Sequence, residues 1–412
     1  DLDLIKKIRE KGIIGICYSI KKRVCYFINR IAYCIYREKK IKGNLIILES
    51  EGDLSDNAYA LYYYMKHNEY LNKYKVVWLV DHIENYTNEK NVYYVGKDIY
   101  NSINLKTMKA LALCKWYIYD HNNLYDIHNL KIKKTQRITY LCHGYAGFKR
   151  PKGAVDRKLG DDIINTGEIP AQGTYDFNGE DVNVQILGFS RLDWFYSNLE
   201  EVKVKINNKY KLNEFDTVIL WMPTFRKSMS LELSEEYLDN GTGLPLLDTL
   251  DKYKRFNEYL KKKNCLCILK LHHLQAEMDI FKENLSNILI VRDADLAKLE
   301  VQLYQFIPLA DALITDYSSV STDYMLLDKP IIYILDDYEE YNKSRGVYPD
   351  NAIELMPGDH VYDIGELEKS VDKIVDKIDD HKEKRNKLLK GFHKYQDGNS
   401  SKRILDYLKI IK

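Results

Sequence analysis

The sequence predicts an α/β protein with two similar domains that face a common cleft, because short apolar runs alternate with helical stretches twice along the chain. The first series begins after residue 42 with NLIILES and continues through KYKVVWLVDH, WYIYD and ITYLCHGY. The second follows the charged segment 200–214 with DTVILWMPTF, CLCILKLHH, ALITDYSS and PIIYILDD. We therefore predict domains at 43–205 and 206–395, and a C-terminal helix at 396–412 that packs back on the body.

Charge and cysteine content narrow the class of protein. The 412 residues include 62 Lys and Arg against 61 Asp and Glu, and nucleic-acid-binding proteins normally have a strong basic excess. The seven cysteines are odd in number and scattered, which favours reduced thiols in a cytoplasmic protein over a disulfide framework. No Cys or His array has the spacing of a metal site. We therefore expect neither a nucleic-acid partner nor a bound metal.

Residues 1–42 form a basic amphipathic segment, with twelve basic residues and four acidic ones. Its apolar residues recur at helical spacing: Ile13, Ile16, Ile20, Val24, Phe27, Ile31 and Ile35. Lysines and arginines interrupt the run before it reaches the ~20 apolar residues that span a bilayer, and no signal-peptide cleavage site follows it. We expect helices that lie on an anionic membrane surface; the alternative is packing against the body of the protein.

Polar side chains follow the predicted strands of both domains, and ligands of open α/β sheets bind at the carboxyl ends of strands. In LITDYSSVSTDY, Asp316 comes directly after a strand and Ser318 and Ser319 begin a helix, with Asp323 one turn later. The free N–H groups of a helix N-terminus bind anions, and serine hydroxyls add donors. The alternative is simple N-capping by a serine.

His143 follows the apolar run ITYL and is a candidate general base, because the unperturbed pKa of histidine lies near neutrality. The alternative is a structural histidine in a loop. Lys149 and Arg150 nearby would add positive charge for an anionic acceptor.

Further basic residues follow strands of the second series. Candidates for phosphate contact are Lys270, His272, Arg226 and Arg345, with Arg191 from the first series. The whole set is basic, rich in hydroxyls and poor in clustered carboxylates. It favours transfer from a nucleoside diphosphate donor over metal-dependent hydrolysis or a two-carboxylate glycosidase.

The ordered series HGY, LGFSRLD, WMPTFR, LKLHH, TDYSSVSTDYMLLDKPIIY and SRGVYPD, over about 140–360, resembles the CDP-glycerol glycerophosphotransferase family of teichoic-acid biosynthesis. The resemblance implies a GT-B architecture, in which two Rossmann-like domains flank the active site. It also implies a peripheral enzyme on the cytoplasmic face of the membrane. Such an enzyme transfers a polyol phosphate from a CDP-polyol to a hydroxyl of a lipid-linked (polyprenyl diphosphate) glycan acceptor and releases CMP, in synthesis of teichoic acid or a capsule-like polymer.

The resemblance also implies roles for individual residues. His143 would be the base that deprotonates the acceptor, and His272 would contact the donor phosphates with Ser318, Ser319 and Arg345. Lys270 would lie near the cytidine, and Asp323 would bind the donor or order its loop. The resemblance implies no dedicated cofactor beyond the CDP-linked donor, and it leaves assistance by a divalent cation and homo-oligomer formation open.

The sequence departs from the family pattern at two positions beside these groups. Tyr145 replaces the usual threonine of the His-Gly-Thr motif, and His273 replaces the proline after the second histidine. CDP-ribitol in place of CDP-glycerol therefore stays open, as do a GT-B nucleotide-sugar transferase and a catalytically inactive scaffold. The segment RGVYPD favours phosphate chemistry over sugar transfer.

Overall fold

A computed structural model describes residues 2–143, 147–150, 159–224, 241–271, 281 and 285–411, with side chains of the first helix from residue 15 onward except residue 16. Helix α1 (Leu2–Arg37) precedes two parallel β-sheets. We call the part built on the first sheet the first domain and the part built on the second sheet the second domain.

The first sheet has the strand order β3-β2-β1-β4-β5-β6-β7, and all of its strand pairs are parallel. Its strands are β1 (Lys42–Glu49), β2 (Lys75–Val80), β3 (Val92–Gly96), β4 (Cys114–Tyr119), β5 (Arg137–Tyr140), β6 (Asp162–Asn165) and β7 (Val184–Ile186). Its helices are α2 (Asp56–His67), α3 (Leu105–Leu113), α4 (Leu124–Ile127) and α5 (Glu168–Asn178). A 3-10 segment (Ser190–Tyr196) and α6 (Glu200–Tyr210) lead to the second sheet.

The second sheet repeats the same pattern in the order β10-β9-β8-β11-β12-β13, again with parallel pairs. Its strands are β8 (Thr217–Trp221), β9 (Cys265–Leu269), β10 (Ile288–Ile290), β11 (Ala312–Thr315), β12 (Ile331–Ile334) and β13 (Asp359–Val361). Its helices are α7 (Leu250–Lys262), α8 (Asp293–Lys298), α9 (Leu303–Phe306), α10 (Val320–Tyr324), α11 (Tyr338–Ser344), α12 (Ile364–Val375) and α13 (Lys382–Phe392). Helix α14 (Ser400–Tyr407) follows.

Both sheets therefore have the doubly wound order of a Rossmann-like fold, which confirms the predicted α/β class with parallel sheets. Strands such as β8 and β9 read as continuous apolar runs because helices cover both of their faces. The order reverses between β1 and β4 and again between β8 and β11, and ligands of such sheets bind beside these switch points.

The two ends of the chain both pack on the first domain. Cys25, Asn29 and Tyr33 of α1 are buried, and the Asn29 side chain donates to the carbonyl oxygens of Ile99 and Ser102 at 2.9 Å. At the other end, the side chains of α14 and the residues after it join the core of the first sheet, with Trp116 Nε1 donating to the Leu408 carbonyl at 3.2 Å.

Candidate active site

His143 stands at the carboxyl end of β5, where the backbone turns sharply. Cys142 has a φ of +60°, a conformation that non-glycine residues rarely adopt and that concentrates at functional sites. The Asn57 amide fixes this turn, since its nitrogen donates to the Cys142 carbonyl at 2.8 Å and its oxygen accepts from the Arg191 backbone N–H at 3.1 Å. About half of the His143 side chain is exposed, so the imidazole can reach a substrate.

The imidazole of His143 is oriented by two carboxylates. Nδ1 lies 2.7 Å from Asp56 Oδ2, and Nε2 lies 3.1 Å from Glu51 Oε2. A carboxylate on Nδ1 fixes that nitrogen as the protonated one and leaves Nε2 to accept a proton. Glu51 is half exposed, so its carboxylate can move aside for a substrate hydroxyl. The pair of His143 and Asp56 has the geometry of a general base and its orienting group.

The electrostatics of this pair favour an ionised aspartate. Burial would raise the pKa of Asp56, but the Arg191 charge and the hydrogen bond from His143 outweigh it and lower that pKa to about 2. Burial lowers the pKa of His143, because it disfavours the charged imidazolium. The hydrogen bond and the charge of Asp56 outweigh this effect, so the pKa of His143 is raised overall. Asp56 is therefore ionised at neutral pH and strengthens the basicity of His143.

The chain contacts the second domain at Gly147 and Phe148, four and five residues after His143. Phe148 N–H donates to the Tyr317 carbonyl at 3.1 Å, and the Phe148 side chain is fully buried in the core of the second domain. A Cβ added at Gly147 would lie 2.5 Å from the backbone nitrogen of Ser319, at a φ of +63°. Only glycine allows this approach. This Gly147 crossing lies four residues after His143 and directly against the backbone of the serine pair.

The serine pair differs in part from its prediction. Ser319 occupies the N-cap position of α10 in helical conformation, and its hydroxyl makes no capping hydrogen bond. The regular helix spans only five residues before a 3-10 turn (Met325–Leu327), so its dipole is weaker than the sequence suggested. Within the described residues, neither the Ser318 nor the Ser319 hydroxyl forms a hydrogen bond, and both are partly exposed. Both hydroxyls are therefore available to a ligand.

The two aspartates of the same stretch are engaged within the protein. Asp316 accepts from the Thr224 N–H at 2.8 Å and from its hydroxyl at 2.5 Å, which joins the ends of β8 and β11 at the switch point. Asp323 is buried and accepts from Arg191 at 2.8 Å and from the Tyr304 hydroxyl at 2.6 Å. Of the two roles predicted for Asp323, ordering the loop fits these contacts.

The predicted basic residues lie in three different settings. Arg345 caps the end of α11, and its Nε is buried with no hydrogen-bond partner in the described part of the chain. Lys149 and Arg150 pair with the backbone of Val347 and Gly346, which places them beside Arg345. Lys270 is nearly buried and its ammonium lies 2.8 Å from Asp293 Oδ1.

Arg191 differs from its predicted use, because its side chain is only 3 % exposed and is held by two carboxylates rather than open to a phosphate. His272 and Arg226 lie outside the described residues, as do Tyr145 and His273.

Sequence reasoning missed Asp56 and Glu51. Both residues follow β1, at the switch point of the first sheet. The rule that ligands bind at the carboxyl ends of strands therefore applies to them as it does to the other candidates. The signal was the acidic stretch ESEGDLSD directly after NLIIL.

Two Rossmann-like domains, each built on a parallel doubly wound sheet, have the architecture of the GT-B fold. The CDP-Glycerol:Poly(glycerophosphate) glycerophosphotransferase family matches residues 171–409, more than half of the chain. The protein belongs to this family, which confirms the resemblance found in the sequence. The name of the family indicates a CDP-linked nucleotide donor.

Its relatives include enzymes for both polyols. A teichoic acid glycerol-phosphate primase of Bacillus spizizenii is 31 % identical over 52 % of this chain and 49 % of its own length. The chain thus spans about half the length of that relative. A teichoic acid ribitol-phosphate primase of the same organism is 25 % identical over 72 % of this chain and 75 % of its own length.

A solved structure of the wall teichoic acid polymerase TagF superposes with a TM-score of 0.74 at 20 % identity, over 100 % of this chain and 98 % of the other. This likeness supports the fold. Among the described residues, no group of three His, Cys, Asp or Glu side chains is placed to hold a metal ion.

Proposed function

We propose that this protein transfers a polyol phosphate from a CDP-polyol to a hydroxyl of a lipid-linked acceptor in the synthesis of teichoic acid or a similar polymer, with release of CMP. The observation that carries the proposal is the pair of His143 and Asp56, set across the Gly147 crossing from Ser318 and Ser319. A base and a phosphate-binding surface at one cleft are what this transfer needs.

In this reaction the acceptor hydroxyl gives its proton to His143 Nε2 as its oxygen attacks the phosphorus that bears the polyol. A new oxygen–phosphorus bond forms, and the bond from that phosphorus to the oxygen of CMP breaks. Catalysis of phosphoryl transfer is mostly positioning and charge stabilisation. The hydroxyls of Ser318 and Ser319 can donate to the phosphate oxygens, and so can Arg345 Nε, which has no hydrogen-bond partner among the described residues. Asp56 stabilises the imidazolium that forms.

CDP-glycerol is the first candidate for the donor, since the family carries that name and a relative that is 31 % identical is a teichoic acid glycerol-phosphate primase. CDP-ribitol is the second candidate, because a ribitol-phosphate primase matches a larger share of this chain. The lipid-linked acceptor is part of the same proposal and is implied by the resemblance of the sequence to the family.

The experiment measures CMP release by the purified protein with a lipid-linked acceptor analogue, using CDP-glycerol, CDP-ribitol and a panel of nucleotide sugars in turn. We expect turnover of one CDP-polyol, lost in His143→Ala. The matched control is His381→Ala, because His381 also pairs with an aspartate, with Nε2 2.9 Å from Asp359 Oδ1. Turnover of a nucleotide sugar alone, or full activity of His143→Ala, would overturn the proposal.

We further propose that α1 attaches the enzyme to the membrane surface. Its outward side carries five exposed apolar side chains at helical spacing, namely Ile20, Val24, Phe27, Ile31 and Ile35. Lys21 and Arg23 are exposed beside them and can attract anionic headgroups. No helix in the described part of the chain is long and apolar enough to cross a bilayer. An apolar stripe with basic neighbours is the pattern of a helix that lies in the interface.

A further inference from the structure

Arg191 connects the two sides of the candidate active site. Its Nη1 donates to Asp56 Oδ1 at 2.7 Å and to the carbonyl oxygen of His143 at 3.0 Å. Its Nη2 donates to Asp323 Oδ2 at 2.8 Å. One guanidinium therefore holds the base, the carboxylate that orients the base, and the helix that follows the serine pair.

The two carboxylates belong to different domains. Asp56 begins α2 beside the first sheet, whereas Asp323 lies in α10, one turn after Ser319. Tyr304 strengthens the second contact, because its hydroxyl donates to Asp323 at 2.6 Å and its ring lies 4.4 Å from the Arg191 guanidinium.

Stability alone does not account for this arrangement. Removing a guanidinium and two carboxylates from water costs several kcal/mol per ion, and well-packed apolar residues of the same volume are often as stable or more so. Apolar packing, however, does not fix the angle between three acceptors, whereas the planar guanidinium does. The contacts of Arg191 therefore fix the positions of the Asp56 carboxylate, the His143 carbonyl and the Asp323 carboxylate relative to one another.

We propose that Arg191 is a positioning residue, which holds the His143 imidazole at a fixed place relative to Ser318 and Ser319 through Asp56 and Asp323. This inference rests on the proposed function, in which the proton acceptor and the phosphate-binding hydroxyls act on one acceptor–donor pair. Arg191 itself is buried, and its guanidinium is held by protein carboxylates. Because a misplacement of 1 Å can cost about 100-fold in rate, loosening this contact lowers kcat and leaves the donor KM little changed.

The test is a double-mutant cycle of Asp56→Asn and Asp323→Asn, read as kcat and donor KM for CMP release. Both carboxylates bind Arg191, and substitutions of two residues that share a partner do not have independent effects. We expect Asp323→Asn to lower kcat about tenfold or more in the wild-type background and by less than about twofold in the Asp56→Asn background. Two effects that multiply, or an increase in donor KM with kcat unchanged, would overturn the proposal.

A matched control separates positioning from stability. Arg385 is also fully buried and binds two aspartates: Asp328 at 2.9 Å, directly after the 3-10 turn that follows α10, and Asp379 at 2.5 Å. We expect Arg191→Met and Arg385→Met both to lower the Tm, and only Arg191→Met to lower kcat of the folded enzyme. Equal losses of kcat at equal fractions folded would contradict the proposal.

A second measurement needs no activity. Nitrogen NMR of the His143 imidazole in the free protein should report a proton held on Nδ1, and Asp323→Asn should lower the occupancy of that proton while Asp328→Asn should not. If the protein turns over no CDP-polyol but this change occurs, the proposed function fails and the positioning role stands. If CMP is released but the His143 signals are the same in all three proteins, the positioning role fails and the proposed function stands.

Discussion

Gly147→Ala tests whether the crossing segment sets the distance between the two halves of the site. The added Cβ would lie 2.5 Å from the Ser319 nitrogen and 2.6 Å from the Tyr317 oxygen, and both are backbone atoms that no side-chain rotation can move. Ordinary contact begins at 3.4 Å, so the serine backbone must retreat by about 0.9 Å. A shift of this size can cost about 100-fold in rate.

We therefore expect kcat/KM for CMP release to fall about 100-fold in Gly147→Ala. A positive φ also destabilises alanine by about 1–2 kcal/mol, so the Tm should fall as well. Gly179→Ala is the control, since Gly179 has a φ of +86° and open space around its Cβ position. It should lose stability and keep its activity. Wild-type kcat/KM in Gly147→Ala, or an equal loss in both variants, would refute the reasoning.

Two further predictions concern the base and the first helix. The base acts in its deprotonated form. Burial and the Arg191 charge lower the pKa of His143, whereas Asp56 and Glu51 raise it. Because Asp56→Asn removes one of the groups that raise this pKa, the acidic limb of the pH–rate profile should move to lower pH. The plateau rate of this profile should fall about 100-fold or more. An acidic limb that does not move would argue against His143 as the base oriented by Asp56. Phe27→Glu with Ile31→Glu should weaken binding to phosphatidylglycerol vesicles at least about tenfold, as measured by cosedimentation. Val204→Glu, at an equally exposed apolar residue of α6, should bind like the wild type, and equal binding by all three proteins would exclude α1 as the membrane contact.

The sequence predicted the fold class because the relevant signals are local. Each buried strand is a short apolar run, and each polar signature follows one directly, so His143 and Ser318 could be found from single segments. Asp56 could not be assigned to His143 in this way. Its position depends on the pairing of β1 with β4 and β4 with β5, which brings residues 87 positions apart into contact.

The same limit explains why the pairing of Arg191 with Asp323 could not be predicted from the sequence. A basic residue after a strand reads as a phosphate contact, and an acidic residue in a serine-rich stretch reads as part of a binding site. Only the folded chain brings these two residues, 132 positions apart in sequence, within 2.8 Å of each other, where they form a buried ion pair.

The return of the C-terminal segment to the first domain has a consequence for synthesis of the protein. Ile404, Leu405 and Leu408 share a core with Ile46 and Trp78. While the chain is being translated, β7 leaves the ribosome more than 200 residues before these side chains exist. At typical elongation rates that interval lasts on the order of ten seconds or more. The domain encoded first is therefore the last to be completed, and its nascent form exposes an apolar surface that chaperones can bind.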